Sequence, residues 1–306
     1  MANLIMVAPI APATLTASRG SGAANLLTAD PKEVWLDSAA GTAATIDVDL
    51  GAVVTIDTVL LGHVYGAHAD ARWSISGGLD GHGEFAVMAD SALRAVDSPG
   101  QAPKLTNALW HGSAVNVRYL RIALTQKAGE QPVSIGCQVI GKAFMPQYNM
   151  TWGAGRKVID TGTATPLPDG GFAVVEGVRK GAFEWTLQDL SPEETEQLYI
   201  LQLICGSTKP LLVVEDPQAS PGQGYRIHYC KLVNLKSYER RNPAQTRWDL
   251  SVEDWGATEA SVGGVSAVAT IYNTLSNSNL RGDQVVGFIA WADELDGRLT
   301  AMEAAE

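Results

Sequence analysis

The sequence predicts a mainly β protein: two β-rich domains, one internal helix and a C-terminal helix of heptad pattern. Three observations carry that prediction. Short β-branched and aromatic runs recur through the first half, separated by Gly, Pro and Asp turn signals. A strand–helix–strand unit with well-marked ends occupies Ala182 to Pro217. After Asp283 the apolar spacing changes from period two to alternating threes and fours.

Residues 1–147 read as one all-β domain. The opening MANLIMVAPIAPA has no basic leader and too short an apolar run for export or a membrane span, so it reads as a first strand. Ile46 to Leu50 alternates apolar and acidic residues. Val54 to Val64 is a longer strand, and Trp73 to Ile75 a short one. Val115 to Leu124 alternates around Tyr119 and Ile122, and Val133 to Ile140 closes the set at Gly141. Turn signals fall at Gly51, Gly66, Gly77-Gly78, Asp80-Gly81, Ser98 to Gly100 and Gly129. Many short strands at this spacing make a sandwich or jelly roll. In order, Trp35, the IDVDLG of Ile46 to Gly51, Val53 to Ile56, the RYLRI of Arg118 to Ile122 and the final Gly141 resemble the discoidin-like, galactose-binding-like jelly roll. The resemblance spans most of residues 18–144. It implies a jelly-roll β-sandwich, a fold that hosts sugar binding, lipid binding and plain packing alike, so it does not fix a ligand.

The second domain, residues 148–256, follows a connection at FMPQYNMTW. Phe183, Trp185 and Leu187 alternate with polar residues, the mark of a half-buried strand. Ser191 stands at an N-cap, Pro192 at the first helical position and Glu194 three residues after the cap, which makes a capping box. Leu198, Leu201 and Cys205 share one helical face, widened by Ile200, Leu203 and Ile204, and Gly206 suits a left-handed helix end. Leu211 to Val214 is a strand stopped at Asp216-Pro217. Ile227 to Leu235 and the alternating Trp248, Leu250 and Val252 form a further pair, with Glu239 to Asn242 and Pro243 as the turn. The order FEWTL, LSPEE, an apolar run ending in EDP, YCKLVNLKSYERR and RWDLSVEDW resembles the minor tail-tip and distal tail proteins of long-tailed bacteriophages, over about residues 152–255. That resemblance implies a small β-sandwich with one helix, a homo-oligomeric ring of threefold or sixfold symmetry continuing the tail tube, and tube, hub and tape-measure proteins as partners. It also implies a place in the virion tail tip after synthesis in the host cytoplasm. Such a ring works by contact, so the resemblance brings no catalytic residue and no cofactor.

Residues 257–282 read as a flexible linker, rich in small and polar residues. Residues 283–306 read as an amphipathic helix with Val285, Phe288, Ala292, Leu295, Leu299 and Met302 on one seam. Gly287 and Gly297 weaken it by about 1 kcal/mol each relative to Ala. So short a helix is marginal alone in water. It calls for a partner: another copy, the body of a particle, or its own domain.

Composition and motifs bound the function. The net charge of −11 over 306 residues argues against a nucleic-acid binder, which needs a basic stripe. Three isolated cysteines, Cys137, Cys205 and Cys230, offer neither a disulfide framework nor a zinc site and read as buried thiols. Gly136 to Lys142 imitates a phosphate loop but has Ala143 where a magnesium-ligating hydroxyl belongs. His63, His68 and Asp70 lack the further ligands a metal site needs, so no metal is expected. Neither a nucleophile–base pair nor a paired-carboxylate site is legible, and the chain reads as a structural protein without enzymatic activity. The candidate ligand contacts are Tyr65, His68, Trp110 and His111, because a saccharide is held by an aromatic face with a polar rim. Two readings follow: a tail-tip structural subunit whose jelly roll touches host-surface saccharide, or a carbohydrate-binding module with no ring-forming role.

Overall fold

A computed structural model describes residues 3–38, 43–94, 106–126, 132–168 and 170–256. The chain divides into two units, Met1–Ala260 and Ser261–Glu306, and the described residues all belong to the first. The linker at 257–282 and the heptad seam at 283–306 lie outside the described residues.

The protein is mainly β. In chain order the N-terminal strands are β1 (Ile5–Val7), β2 (Thr14–Ala17), β3 (Trp35–Leu36), β4 (Ala44–Val64), β5 (Arg72–Gly78), β6 (Phe85–Ala92), β7 (Thr106–Thr125), β8 (Ser134–Ile135) and β9 (Cys137–Gly141). Two of them are far longer than the sequence suggests. The runs at Ile46 and Val54 are one strand, β4, carried through Gly51, whose φ of 78° only glycine adopts freely. β4 pairs with β7 along nearly its whole length, with register shifts between Asp49 and Val54 and again between Leu61 and Val64. Its first half carries β2, its second half β9, and the far half of β7 carries β5 and then β6. Bulged long strands bend, so the same two strands serve both layers around one core. Ile46, Val48, Ile56, Leu61, Trp73 and Ile122 meet in that core. The IDVDLG and RYLRI strings owe their pattern to this pairing. Ile46 and Val48 point inward, while Asp47 points out and binds Arg121 in register at 2.7 Å.

The second domain adds β10 (Gly155–Asp160), β11 (Thr163–Pro166), β12 (Phe172–Val175), β13 (Arg179–Leu190), the helix α1 (Pro192–Cys205), β14 (Leu211–Val214), β15 (Ile227–Leu232), β16 (Glu239–Asn242) and β17 (Gln245–Asp254). One sheet runs β1-β14-β15-β17-β13-β10, with β16 on β17. The capping box forms as read: Ser191 Oγ accepts from the Glu194 N–H, and Glu194 accepts from the Ser191 N–H at 2.8 Å. Leu198, Leu201 and Cys205 are buried against Trp185, Val213 and Leu250 of the sheet. Ile200, Leu203 and Ile204 do not widen that face. They are exposed, because the sheet receives only the narrow stripe through Thr195, Leu198, Leu201 and Cys205. Gly206 ends the helix at φ 53°, ψ −148°, a glycine region outside the left-handed helix. The stretch at Glu239 to Asn242 is itself strand β16, so the turn narrows to Pro243-Ala244.

The opening strand crosses the boundary drawn at residue 147. β1 pairs with β14 in the second sheet, Ile5 opposite Val214 and Val7 opposite Leu212. Leu4 and Met6 face the helix-side core, and Ile5 and Val7 face a third core on the other side. A strand apolar on both sides needs a sheet covered on both sides. The third core joins Leu60, Cys137 and Val139 of the jelly roll to Leu212, Ile227 and Tyr229 of the second sheet. The sheet's second layer is therefore the jelly roll itself.

Candidate functional site

Beyond β10 and the start of β13, the chain leaves the body as a two-stranded arm. β10 pairs with β13 from Gly155 opposite Glu184 to Asp160 opposite Arg179, and β11 pairs with β12 from Thr163 opposite Val175 to Pro166 opposite Phe172. Between the two ladders Gly162 and Gly177 cross so closely that a Cβ on Gly177 would stand 2.0 Å from the Gly162 nitrogen. Leu167 closes the tip, donating its N–H to the Gly171 carbonyl at 2.8 Å. Every residue of β11 and β12 is exposed, among them Phe172, Val174 and Val175 at 65–68%. Val158 and Val178 add to this surface, and Trp152, three residues before β10, is fully exposed. A two-stranded ribbon is marginally stable in water. Contiguous apolar side chains on it mark a surface made for another molecule. The arm escaped the sequence reading because both its faces are wet and no period-two contrast appears. The string Pro-Asp-Gly-Gly between a Thr-rich and a Val-rich run is the turn signal that the sequence offers there.

The four candidate ligand residues fall in two places. Trp110 pairs with Val59 on the inner face of β7 and packs on the jelly-roll core. His111, next in the strand, points to the opposite face and bonds buried Thr58 at 2.9 Å. Thr58 donates to Asp57 at 2.8 Å, so the His111 Nδ1–H is the donor to Thr58. Trp110 and His111 therefore cannot form one stacking face with its rim. Tyr65 lies six residues beyond Val59, about 20 Å along β4 and its extension. Tyr65 and His68 do share a loop. Tyr65 is 40% exposed, with its backbone bridged to Ser134. The His68 imidazole meets Asp70 at 2.6 Å, its backbone N–H donates to Gln126 Oε1 at 3.3 Å, and Arg94 donates to the Ala67 carbonyl at 3.2 Å. Tyr65 thus shares its loop with several donors and acceptors, and an aromatic face with a polar rim is the chemistry a polyol requires.

The other motifs resolve into structure. Cys137 to Gly141 is strand β9, whose amides are committed to β4. His63 is half-buried near Tyr229, their rings 6.2 Å apart, while His68 pairs with Asp70. All three thiols are buried and free; burial pushes the Cys205 pKa up to about 11 and those of Cys137 and Cys230 well above the usual thiol value. Among the described residues no group of three or more His, Cys, Asp or Glu is placed to hold a metal, and no helix is long and apolar enough to cross a membrane. One buried ionic cluster was not legible. His228 is held between Asp254 at 2.9 Å and Glu215 at 3.0 Å, and stacks on Phe183 with ring centroids 5.5 Å apart. Burial disfavours its charge, but the two carboxylates outweigh that and raise its pKa to about 9. Arg156, from the base of the arm, reaches Glu215 at 3.0 Å.

No protein-family description and no curated protein matches this sequence. Solved structures similar to part of it include chitosan-binding module 1 of a chitosanase/glucanase from Paenibacillus sp. IK-5, at 18% identity and a TM-score of 0.33, over 44% of this chain and 98% of that one. A family 32 carbohydrate-binding module of AlyQ, in complex with 4,5-unsaturated mannuronic acid, is 23% identical over 44% of this chain and 97% of its own, with a TM-score of 0.33. A Ruminococcus gnavus GH29 fucosidase in complex with fucose is 14% identical, with a TM-score of 0.35; the match spans 44% of this chain and 27% of the enzyme.

Proposed function

We propose that this chain is a structural subunit of a phage-like tail tip, assembling with copies of itself and with neighbouring tail proteins by surface contact and turning over no substrate. The observation that carries the reading is the arm. It spends β-structure and large apolar side chains on a projection with no contact to its own core, which an assembly subunit needs and a free-standing module does not. The body behind it, with the jelly roll as second layer of the sheet, offers a platform for such a projection. In this reading the jelly roll faces away from the assembly axis. Sedimentation velocity of the purified full chain tests it. Concentration-dependent closed oligomers, seen as rings by negative-stain microscopy, are expected. A strict monomer at the highest attainable concentration overturns it.

A second reading, saccharide binding by the jelly roll, is favoured by the loop that carries Tyr65, His68 and Asp70 beside Arg94 and Gln126. The two readings are compatible, since a tail tip can touch a host-surface glycan. On a glycan array, binding that Tyr65→Ala and His68→Ala abolish, and Trp110→Ala leaves in place, is the expected pattern. No retained glycan at millimolar concentration removes this reading.

A further inference from the structure

We infer that the arm of one copy seats in a cleft on the next copy, between the C-terminal turn of α1 and the jelly roll; this rests on the assembly reading above. The cleft holds about 320 Å³, with Pro9 to Pro12 and Leu26 to Ala29 on one side and Ile204 and Lys209-Pro210 on the other. Its lip continues over the unpartnered face of α1, where Ile200, Leu203 and Ile204 stand exposed beside exposed Leu27. Inside it, Gln138 and Ile140 point from the same side of β9. The Gln138 side chain is nine-tenths buried, and neither its amide nitrogen nor its amide oxygen has a hydrogen-bond partner. A buried carboxamide with both ends idle fits a group that donates and accepts side by side. The unpaired outer backbone of a ribbon strand presents such peptide groups.

Three features select the arm as the occupant. It carries exposed apolar side chains, Phe172, Val174 and Val175, to set against those of the lip. Among the described residues its outer portion, within 162–177, carries one acid, Glu176, and no base, while Lys209 is the only charged side chain lining the cleft. The arm also springs from one edge of the seven-stranded sheet, beside β10. The cleft borders the other edge, where Pro9 follows β1 and Pro210 precedes β14. Five strand spacings, about 24 Å, separate the two edges. Complementary surfaces on opposite edges make a head-to-tail interface, which closes as a ring or grows as a filament.

Mixing variants of the full chain tests the pairing. Phe172→Glu damages the arm and Leu203→Glu the lip; each alone is expected to be monomeric by sedimentation velocity. Mixed in equal amounts they retain one intact arm and one intact cleft, so a dimer that grows no further is expected. Gln138→Leu weakens assembly roughly fivefold to tenfold by removing the amide contact. Should either glutamate variant lose its fold, a chain carrying both Val174→Cys and Leu203→Cys decides. Oxidation is expected to link it into ladders longer than a dimer, which neither cysteine alone produces. A wild-type oligomer that ignores both glutamate variants, or a double-cysteine chain that forms no ladder, overturns this pairing and leaves assembly by another surface. Sensitivity to Leu203→Glu without sensitivity to Phe172→Glu overturns the arm as occupant. A wild-type monomer overturns both this inference and the assembly reading.

Discussion

At the scale of single residues, His228 shows how far apart in sequence a cooperating group can lie. Glu215 and Asp254 stand on β14's exit and on β17, and only the register of the sheet brings them to opposite sides of one imidazole. No spacing rule finds such a triad, because its members lie in separate parts of the chain. Its consequence is a pH dependence with a definite sign. The folded protein holds the His228 proton up to about pH 9, whereas an unfolded histidine releases it near 6.5. Between those values the folded state binds more protons, so this stabilisation is complete below about pH 6.5 and fades as pH rises through 9. The full effect is on the order of 3 kcal/mol. Urea denaturation followed by tryptophan fluorescence should show the decline, and His228→Gln should flatten it. That variant also leaves two carboxylates facing each other, so an overall loss of about 3–5 kcal/mol is expected. A wild-type stability that rises from pH 6.5 to 9 contradicts the assignment. Trp110 is a second residue whose packing bears on stability. Its half-buried ring lies on the jelly-roll core, so Trp110→Ala should cost about 3 kcal/mol of stability, read in the same assay.

At the scale of elements, legibility followed burial contrast. The strand around Trp185, the helix start at Ser191 and the strand around Leu250 were readable because one face of each is dry and the other wet, or because the cap chemistry is local. Strand lengths were not readable, since β4 runs through Gly51, a residue that looks like a turn. The outer face of α1 misled in the opposite way: Ile200, Leu203 and Ile204 are apolar yet exposed, and apolar character alone cannot separate a core from an interface. Two element-level outcomes follow. Ser191→Ala should cost about 1 kcal/mol, the ordinary worth of an N-cap. Glu194→Ala should cost more, because Glu194 also accepts the Gln147 N–H and so ties the interdomain connection to the helix. Both are measurable by chemical denaturation, and equal effects would mean that the Gln147 contact contributes nothing. The arm behaves differently. Replacing residues 162–177 by a short turn should leave the midpoint of thermal unfolding within a few degrees of wild type, since β11 and β12 bury nothing, while abolishing oligomers in sedimentation.

At the scale of the whole molecule, the third core decides whether the described body is two domains or one. The sequence reading drew a boundary at residue 147, and the loop chemistry there gives no reason to draw it elsewhere. The physical boundary fails because β1, at the far end of the chain, supplies an edge strand to the second sheet, and because Leu60, Val139, Leu212 and Tyr229 exclude water between the layers. Tyr229 adds a direct tie, its hydroxyl donating to the Ala29 carbonyl at 3.0 Å. Domains joined by a polar, wet contact unfold separately, whereas layers sharing an apolar core should unfold together. Calorimetry of the full chain should therefore give one cooperative transition for this body, with calorimetric and van't Hoff enthalpies in agreement. Val139→Asp places an unpaired charge in the third core, at a destabilisation of about 4 kcal/mol, and should lower that single transition as a whole. Residues 148–256 produced alone lack β1 and expose the apolar face of Leu212, Val214, Ile227 and Tyr229, so they should aggregate. Two resolved transitions, with only one moved by Val139→Asp, would show that the shared core is an interface between independent folds. So would a soluble 148–256 fragment with native near-ultraviolet dichroism. In that event the arm would project from a sheet free to tilt against the jelly roll.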